Sequence, residues 1–176
     1  MSRSGMWWYS DQTTSWGANE PNDSANWRGW FMRFLAWHVD YFKCCITERG
    51  RSPLVEEYAD PETVAENVLL VLASVEKGDE AAPETVAEKA VDEIAAHAAG
   101  LKVQTIVLHP FAHLFGQLSR PATAVQVLKM VEEGLRNRGL AVTRTPFGWF
   151  NTLEIRAKGH PLSRVARIIS AEEAIR

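Results

Sequence analysis

The alternation of hydrophobic and polar positions divides the chain at Met32. Before it, Trp7, Trp8, Trp16, Trp27 and Trp30 stand among Ser, Asn, Asp and Gly with neither a helical nor a strand period. Residues 1–31 therefore read as a tryptophan-rich extension outside the folded domain. Regular patterning starts at Met32, which also reads as a possible native start. Residues 32–39 and 41–47 predict two short strands joined tightly near Asp40. Residues 49–60 predict a loop, with Gly50, Pro53 and the following Pro61 as breakers. Residues 68–75 (VLLVLASV) form a continuous apolar run of strand length, which fits a strand covered on both faces.

Pro83 is placed to open a helix, because proline is preorganised for the first helical position. Val86, Ala90, Val91, Ile94 and Ala98 then recur at helical spacing, and Gly100 is positioned to end it. Residues 103–109 predict a strand. Pro121 opens a second helix with Val125, Leu128, Val131 and Leu135 as its buried stripe and Gly139 as its stop, and residues 140–144 predict another strand. The stretch 146–162 (PFGWFNTLEIRAKGHPL) combines an aromatic turn, an alternating strand and a second turn. In the strand, Leu153, Ile155 and Ala157 share one face, and Thr152, Glu154, Arg156 and Lys158 the other. The order ββ, β, α, β, α, β, β, with a short C-terminal segment, predicts an α/β (α+β) fold: a mostly β core covered by two main helices. The domain spans residues 32–170, leaving 171–176 as a tail or linker.

At 176 residues and 46% hydrophobic content, one domain with its own core is the simplest organisation. No apolar run reaches the roughly 20 residues needed to span a bilayer, so no membrane partner is expected. Cys44 and Cys45 are adjacent and point to opposite faces of a strand, which fits unbridged thiols in a reducing cytoplasm. The net charge of −3 hides an asymmetry. Residues 1–100 carry 8 Lys/Arg against 17 Asp/Glu, and residues 101–176 carry 11 against 5. The basic half is open to two readings, steering of a polyanion or an ordinary solvated surface.

The strand ending at His109 runs into Pro110, Phe111, Ala112 and His113, and loops at strand ends are common ligand sites. His113 can donate to or orient a polar substrate, and equally can be a structural histidine. His109, His113 and His160 make no metal set. Pro110 interrupts the first pair, no cysteine or carboxylate cluster joins them, and zinc needs three or four convergent ligands. No glycine-rich phosphate loop and no GxSxG elbow occur, and Ser74, Ser119 and Ser163 are isolated. Neither a metal nor a cofactor is expected. Residue chemistry alone leads to an α/β domain with a site where the His113 and 147–150 loops converge.

Five stretches in order add a resemblance: MRFLAWHVDYF from Met32, ASVEKGDE at 73–80, HPFAHL at 109–114, PFGWF at 146–150 and KGHPLSRVAR at 158–167. Together they resemble the N-terminal editing domain of archaeal-type threonyl-tRNA synthetases, a relative of D-aminoacyl-tRNA deacylase, from Met32 to about Ile169. The resemblance implies a D-aminoacyl-tRNA deacylase-like fold and proofreading hydrolysis of mischarged Ser-tRNA(Thr), assisted by the 2′-hydroxyl of the terminal adenosine. It implies the tRNA(Thr) 3′ end carrying serine as partner, a cytoplasmic homodimer, and action with the aminoacylating part of a synthetase. The matching positions make Ser74, Val75, Pro110, Phe111, Ala112, His113, Phe147, Gly148, Trp149 and Phe150 the substrate pocket, with His113 positioning the substrate. Lys158, His160 and Arg164 become tRNA contacts. Two positions depart from the pattern: Asn151 stands where many relatives have a lysine and Arg164 where many have a glutamate. D-aminoacyl-tRNA deacylation, and a non-catalytic tRNA-binding or dimerisation domain that has lost editing activity, are the alternative readings.

Overall fold

Residues 32–49 form one strand, not two. The computed structural model describes residues 31–114 and 116–171; residues 1–30 of the tryptophan-rich stretch and 172–176 of the tail lie outside the described residues. Phe31, the last residue of that stretch, is buried. Strand β1 (Met32–Arg49) is paired by β2 (Glu62–Ser74) along nearly its whole length, from Arg33 opposite Ser74 to Cys45 opposite Glu62. Asp40, which reads as a turn in sequence, is a local irregularity between Val39 and Tyr41 where the pairing with β5 (Trp149–Ala157) shifts register. A bulge places a polar residue outward without ending the strand. The first half of β2 was hidden behind Pro61 and by its polar composition. It alternates between exposed and half-buried positions, whereas residues 68–74 are continuously buried.

The remaining elements follow in order. A 3-10 turn (Lys77–Ala81) leads into α1 (Pro83–Leu101), then β3 (Thr105–Pro110), α2 (Pro121–Asn137), β4 (Ala141–Arg144), β5 and β6 (Arg164–Ile169). Helix α1 runs through Gly100 and ends at Lys102, which takes the left-handed conformation (φ 58°) and donates its N–H to Ala98 and Ala99. Gly139 (φ 82°) does end the second helical segment, as glycine in the left-handed region does without a steric cost. Strand β6 was not expected. Its arginines and outward Ile168 obscure a strand that pairs with the first half of β1, from Met32 opposite Ile169 to Trp37 opposite Arg164.

The sheet order is β4-β3-β2-β1-β5, with β6 beside β1 next to β5. Alternation on β2 explains the unbroken apolar run. Leu69 and Val71 face one core with Val86, Ile94, Val131 and Leu135 of the helices, and Leu70 and Leu72 face another with Val39, Phe42, Cys44 and Val107. Leu153, Ile155 and Ala157 of β5 pack against this second core, so the expected face of that strand is the covered one. The result is a mixed α+β fold with a curled, mostly β core and two covering helices. Both cysteines are free, and burial pushes the Cys44 thiol up to about 11, which keeps it protonated. No helix among the described residues is long and apolar enough to cross a membrane.

Candidate functional site

β2 and β3 run parallel and end side by side, with Ala73 opposite Pro110, so the chain leaves both strands at one edge of the sheet. Phe111 donates its N–H to Ala73 O at 2.8 Å. The chain then loops out through His113 and returns beside the end of β2, where Ser119 N–H bonds Val75 O at 3.0 Å and Lys77 N–H bonds Gln117 O at 2.6 Å. A buried carboxylate lies beneath this return. Glu76 is fully buried and accepts the Ser74 hydroxyl at 3.0 Å, while its own N–H donates to Asp79 Oδ2 at 2.8 Å. Asp79 Oδ1 takes the Met32 N–H at 3.0 Å, and burial pushes this carboxyl up to about 6. Gly116 lies against Glu76 so closely that a Cβ would come within 2.0 Å of Oε2.

The opposite wall is the turn between β4 and β5, held by a strap formed by residues 50–56. Gly148 has φ 91°, and a Cβ there would meet Leu54 O at 2.8 Å. Gly50 donates its N–H to Gly148 O at 2.9 Å and would collide with that same oxygen if it carried a side chain. Both glycines are thus required by close backbone approach. Trp149 Nε1 donates to Glu56 O at 2.8 Å, and its ring meets Tyr58 edge-on at 4.9 Å. The Glu56 carboxylate accepts the Phe147 N–H at 3.1 Å and both arms of the Arg144 guanidinium, one at 3.0 Å. Arg144 also bonds Glu132 at 2.7 Å. Burial works to raise the Glu56 carboxyl, but Arg144, the Phe147 N–H and Lys129 together hold it below its ordinary value.

Between the two walls lies a cavity of about 630 Å³, a size typical of small-ligand sites. Ser74, Val75, Pro110, Phe111, Ala112 and His113 line one side, and Phe147, Gly148, Trp149, Phe150 and Asn151 the other. All the pocket residues picked out by sequence therefore meet around one space. Ala73, His109 and Leu153 also line it, and the strap residues Gly50, Arg51 and Ser52, the returning loop at Leu118 and Ser119, and Pro121, Ala124 and Leu128 of α2 line it too and were missed. Gly50 signalled only a loop, because its partner Gly148 is almost a hundred residues away. Lys158, His160 and Arg164 do not line the cavity. Lys158 bonds Asn67 at 2.7 Å and Asp40 at 3.1 Å, His160 Nε2 pairs with His38 Nδ1 at 2.9 Å, and Arg164 is exposed on β6. Much of the basic half is spent on internal pairs, including Arg120 with Glu80, Arg138 with Asp92 and Arg167 with Glu93.

Among the described residues, the lining holds no carboxylate and no thiol. His109 is 2% exposed and shares a 2.7 Å hydrogen bond with the Thr145 hydroxyl, and burial drives its imidazole down to about 4. It is neutral at physiological pH and occupied. His113 is exposed and sits edge-on to Phe111 at 5.3 Å, and Asn151 Nδ2 donates to Trp149 O at 3.3 Å. The site can hold and orient a small polar ligand between apolar walls, and its lining hydroxyls are those of Ser52, Ser74 and Ser119, with Ser74 donating to Glu76. The state of His109 carries a measurable consequence. A base held below its ordinary value contributes stability above about 6.5 that is lost as pH falls toward 4. Compared with His109→Gln in denaturant titrations, the wild-type chain is expected to lose about 3 kcal/mol over that window. Asp79 works with the opposite sign between about 3.8 and 6, but both proteins share it and the difference cancels it.

The family model described as the archaea-specific editing domain of threonyl-tRNA synthetase matches residues 32–169. The chain is similar to threonine–tRNA ligases of three archaea. It is 42% identical over 144 residues to that of Methanobrevibacter smithii and 42% identical over 142 residues to that of Methanocaldococcus jannaschii, each match covering 81% of this chain and 23% of the relative. It is 40% identical over 147 residues to that of Thermococcus kodakarensis, covering 82% of this chain and 23% of the relative. The chain thus spans about a quarter of the length of the relatives it matches.

Proposed function

The chain belongs to the family of the archaea-specific editing domain of threonyl-tRNA synthetase, and from that premise we propose that it hydrolyses serine mischarged on tRNA(Thr). Water adds to the ester carbonyl, the bond to the 3′ oxygen of the terminal adenosine breaks, and that oxygen takes the proton. No cofactor enters the balance. Editing of this kind answers a physical limit: serine and threonine differ by one methyl, worth only about 1–3 kcal/mol in a binding step. A second site whose wall crowds the extra methyl inverts that preference.

The observation that carries the reading is the character of the cavity. Two loops from distant parts of the chain form a largely apolar space lined by aromatics, with no acid or thiol among the described lining residues and with its buried histidine held neutral. Such a site acts by placement, and the 2′-hydroxyl next to the ester supplies the group that positions and activates the water. His113 orients the substrate from the rim. Asn151, on the half-buried face of β5, offers a neutral hydrogen bond near the ester where a lysine would offer charge. The proposed assembly is a homodimer, which the exposed Ile168 on edge strand β6 favours; the proposed partner is the aminoacylating part of a synthetase.

Single-turnover deacylation of Ser-tRNA(Thr) and Thr-tRNA(Thr) tests the proposal. Faster loss of serine than uncatalysed hydrolysis, with threonine spared, is the expected result. No acceleration for either ester eliminates it in favour of a non-catalytic tRNA-binding domain, and equal action on D-seryl esters makes the chain a general D-aminoacyl-tRNA deacylase. In the same assay His113→Ala is expected to raise the half-saturating enzyme concentration about fivefold, the worth of one hydrogen bond, with the saturating rate within about twofold. A drop of about a hundredfold in the saturating rate would instead make His113 a general base.

A further inference from the structure

Among the described residues, the cavity lining contains one permanently charged side chain, Arg51, and no acid to neutralise it. Most other cations of the fold are committed. Lys43 pairs with Glu62, Lys129 and Arg144 with Glu56, Arg120 with Glu80, Arg136 with Glu132, and Lys158 with Asp40. Arg51 is exposed and takes part in none of the ion pairs among the described residues. Its backbone is not free to wander. Gly50 is pinned to Gly148 by the 2.9 Å hydrogen bond, Ser52 Oγ accepts the Leu54 N–H at 3.2 Å, and Glu56 closes the strap onto Phe147. A backbone pinned on both sides thus carries a guanidinium at the rim of the cavity that takes part in no ion pair among the described residues.

Beside it the rim is apolar. Phe150 is 52% exposed on the β5 side and Leu118 50% exposed on the returning loop. A cation without an ion-pair partner sharing one cavity lining with an exposed aromatic and an exposed aliphatic side chain is the combination that single-stranded nucleic acid selects, with charge for the backbone and apolar surface for the bases. An aminoacylated nucleoside, with its carboxyl esterified and no phosphate, offers no anion for a guanidinium to meet.

Resting on the editing reading above, we propose that Arg51 binds the phosphodiester joining the terminal adenosine to the nucleotide before it. The strap residue then makes the site selective for an aminoacylated RNA end over an aminoacylated nucleoside. Guanidinium suits this task because its fork meets two phosphate oxygens at once.

The test measures binding by the full chain, so that it does not depend on turnover. The two probes are a non-hydrolysable, amide-linked seryl-tRNA(Thr) and the corresponding seryl-adenosine amide, which has no phosphate. Arg51→Gln is expected to weaken the tRNA probe about tenfold, and to reduce the slope of log affinity against log salt by about 0.7, the value for one single-strand phosphate. The same variant should bind the nucleoside probe as wild type does, and Arg51→Lys should recover part of the loss on tRNA. Unchanged tRNA binding by Arg51→Gln overturns the inference, as does an equal loss on both probes. If wild type binds neither probe, the editing reading falls together with this one. If it binds both and Arg51→Gln is neutral, only the role of Arg51 falls.

Discussion

A tRNA(Thr) ending in 2′-deoxyadenosine and seryl-charged on its 3′ oxygen is expected to be deacylated roughly 10²–10⁴-fold more slowly than the natural substrate, the usual worth of a positioned acid–base group. The expectation follows from what the cavity lacks. Among the described residues its lining has no carboxylate and no thiol to act as base or nucleophile, and Asn151 is neutral. His109 is buried, hydrogen-bonded to Thr145 and driven down to about 4, so its imidazole neither reaches out nor gains a proton readily. Among the described residues the other imidazole of the lining is His113, and it is exposed on a loop. The substrate's own hydroxyl is next to the ester in every productive pose, which gives it the effective concentration that a rim histidine does not have. Single-turnover rates on the two substrates, with saturating protein, decide the matter. Rates equal within about twofold would move the base to the protein, and the His113→Ala rate would then be the one to collapse.

Glu56→Ala is expected to cost about 3 kcal/mol of stability and to lower editing along with it. Glu56 and Arg144 are 13% and 11% exposed, and removing one partner of a largely desolvated pair leaves the other charge uncompensated, typically worth roughly 3–5 kcal/mol. The lower end applies because Glu132 still holds Arg144. The same change frees the Phe147 N–H and loosens the strap carrying Arg51, so the wall formed by the turn and its strap loses its brace. Denaturant unfolding measures the first effect and single-turnover deacylation the second. Glu56→Gln, which can still accept from Phe147, should recover part of the stability; a variant as stable as wild type would show that the strap is held by its backbone alone. The pH dependence has a definite sign. The Glu56 carboxyl lies below its ordinary 4.5, so its contribution is present above that pH and is lost as pH falls through its folded value.

Periodicity reached the elements whose two faces differ. The stripe of Val86, Ala90 and Ile94 defined α1, and Leu153, Ile155 and Ala157 defined the covered face of β5, because side-chain spacing reports burial directly. It failed at Asp40, where a polar residue can mark a turn or a bulge. It failed again at β6, an edge strand whose outward residues need no pattern. The pocket residues carried by short motifs, Ser74 through Phe150, were legible as segments. That they surround one cavity depends on β2 and β3 ending together and on β4 turning back into β5 across the curled sheet.

Alone, the sequence determined an α+β chain with a mostly β core, two helices opened by prolines, and membership in an editing family, since local spacing and short ordered motifs contain that information. Only the tertiary structure decided which charges are spent and which remain. Arg144 is consumed by Glu56 and Glu132, Lys158 by Asp40, and Arg51 is left unpaired at the cavity rim. An ion pair depends on which residues the fold brings within a few ångströms, and residues 56 and 144 or 50 and 148 meet only after the sheet has curled.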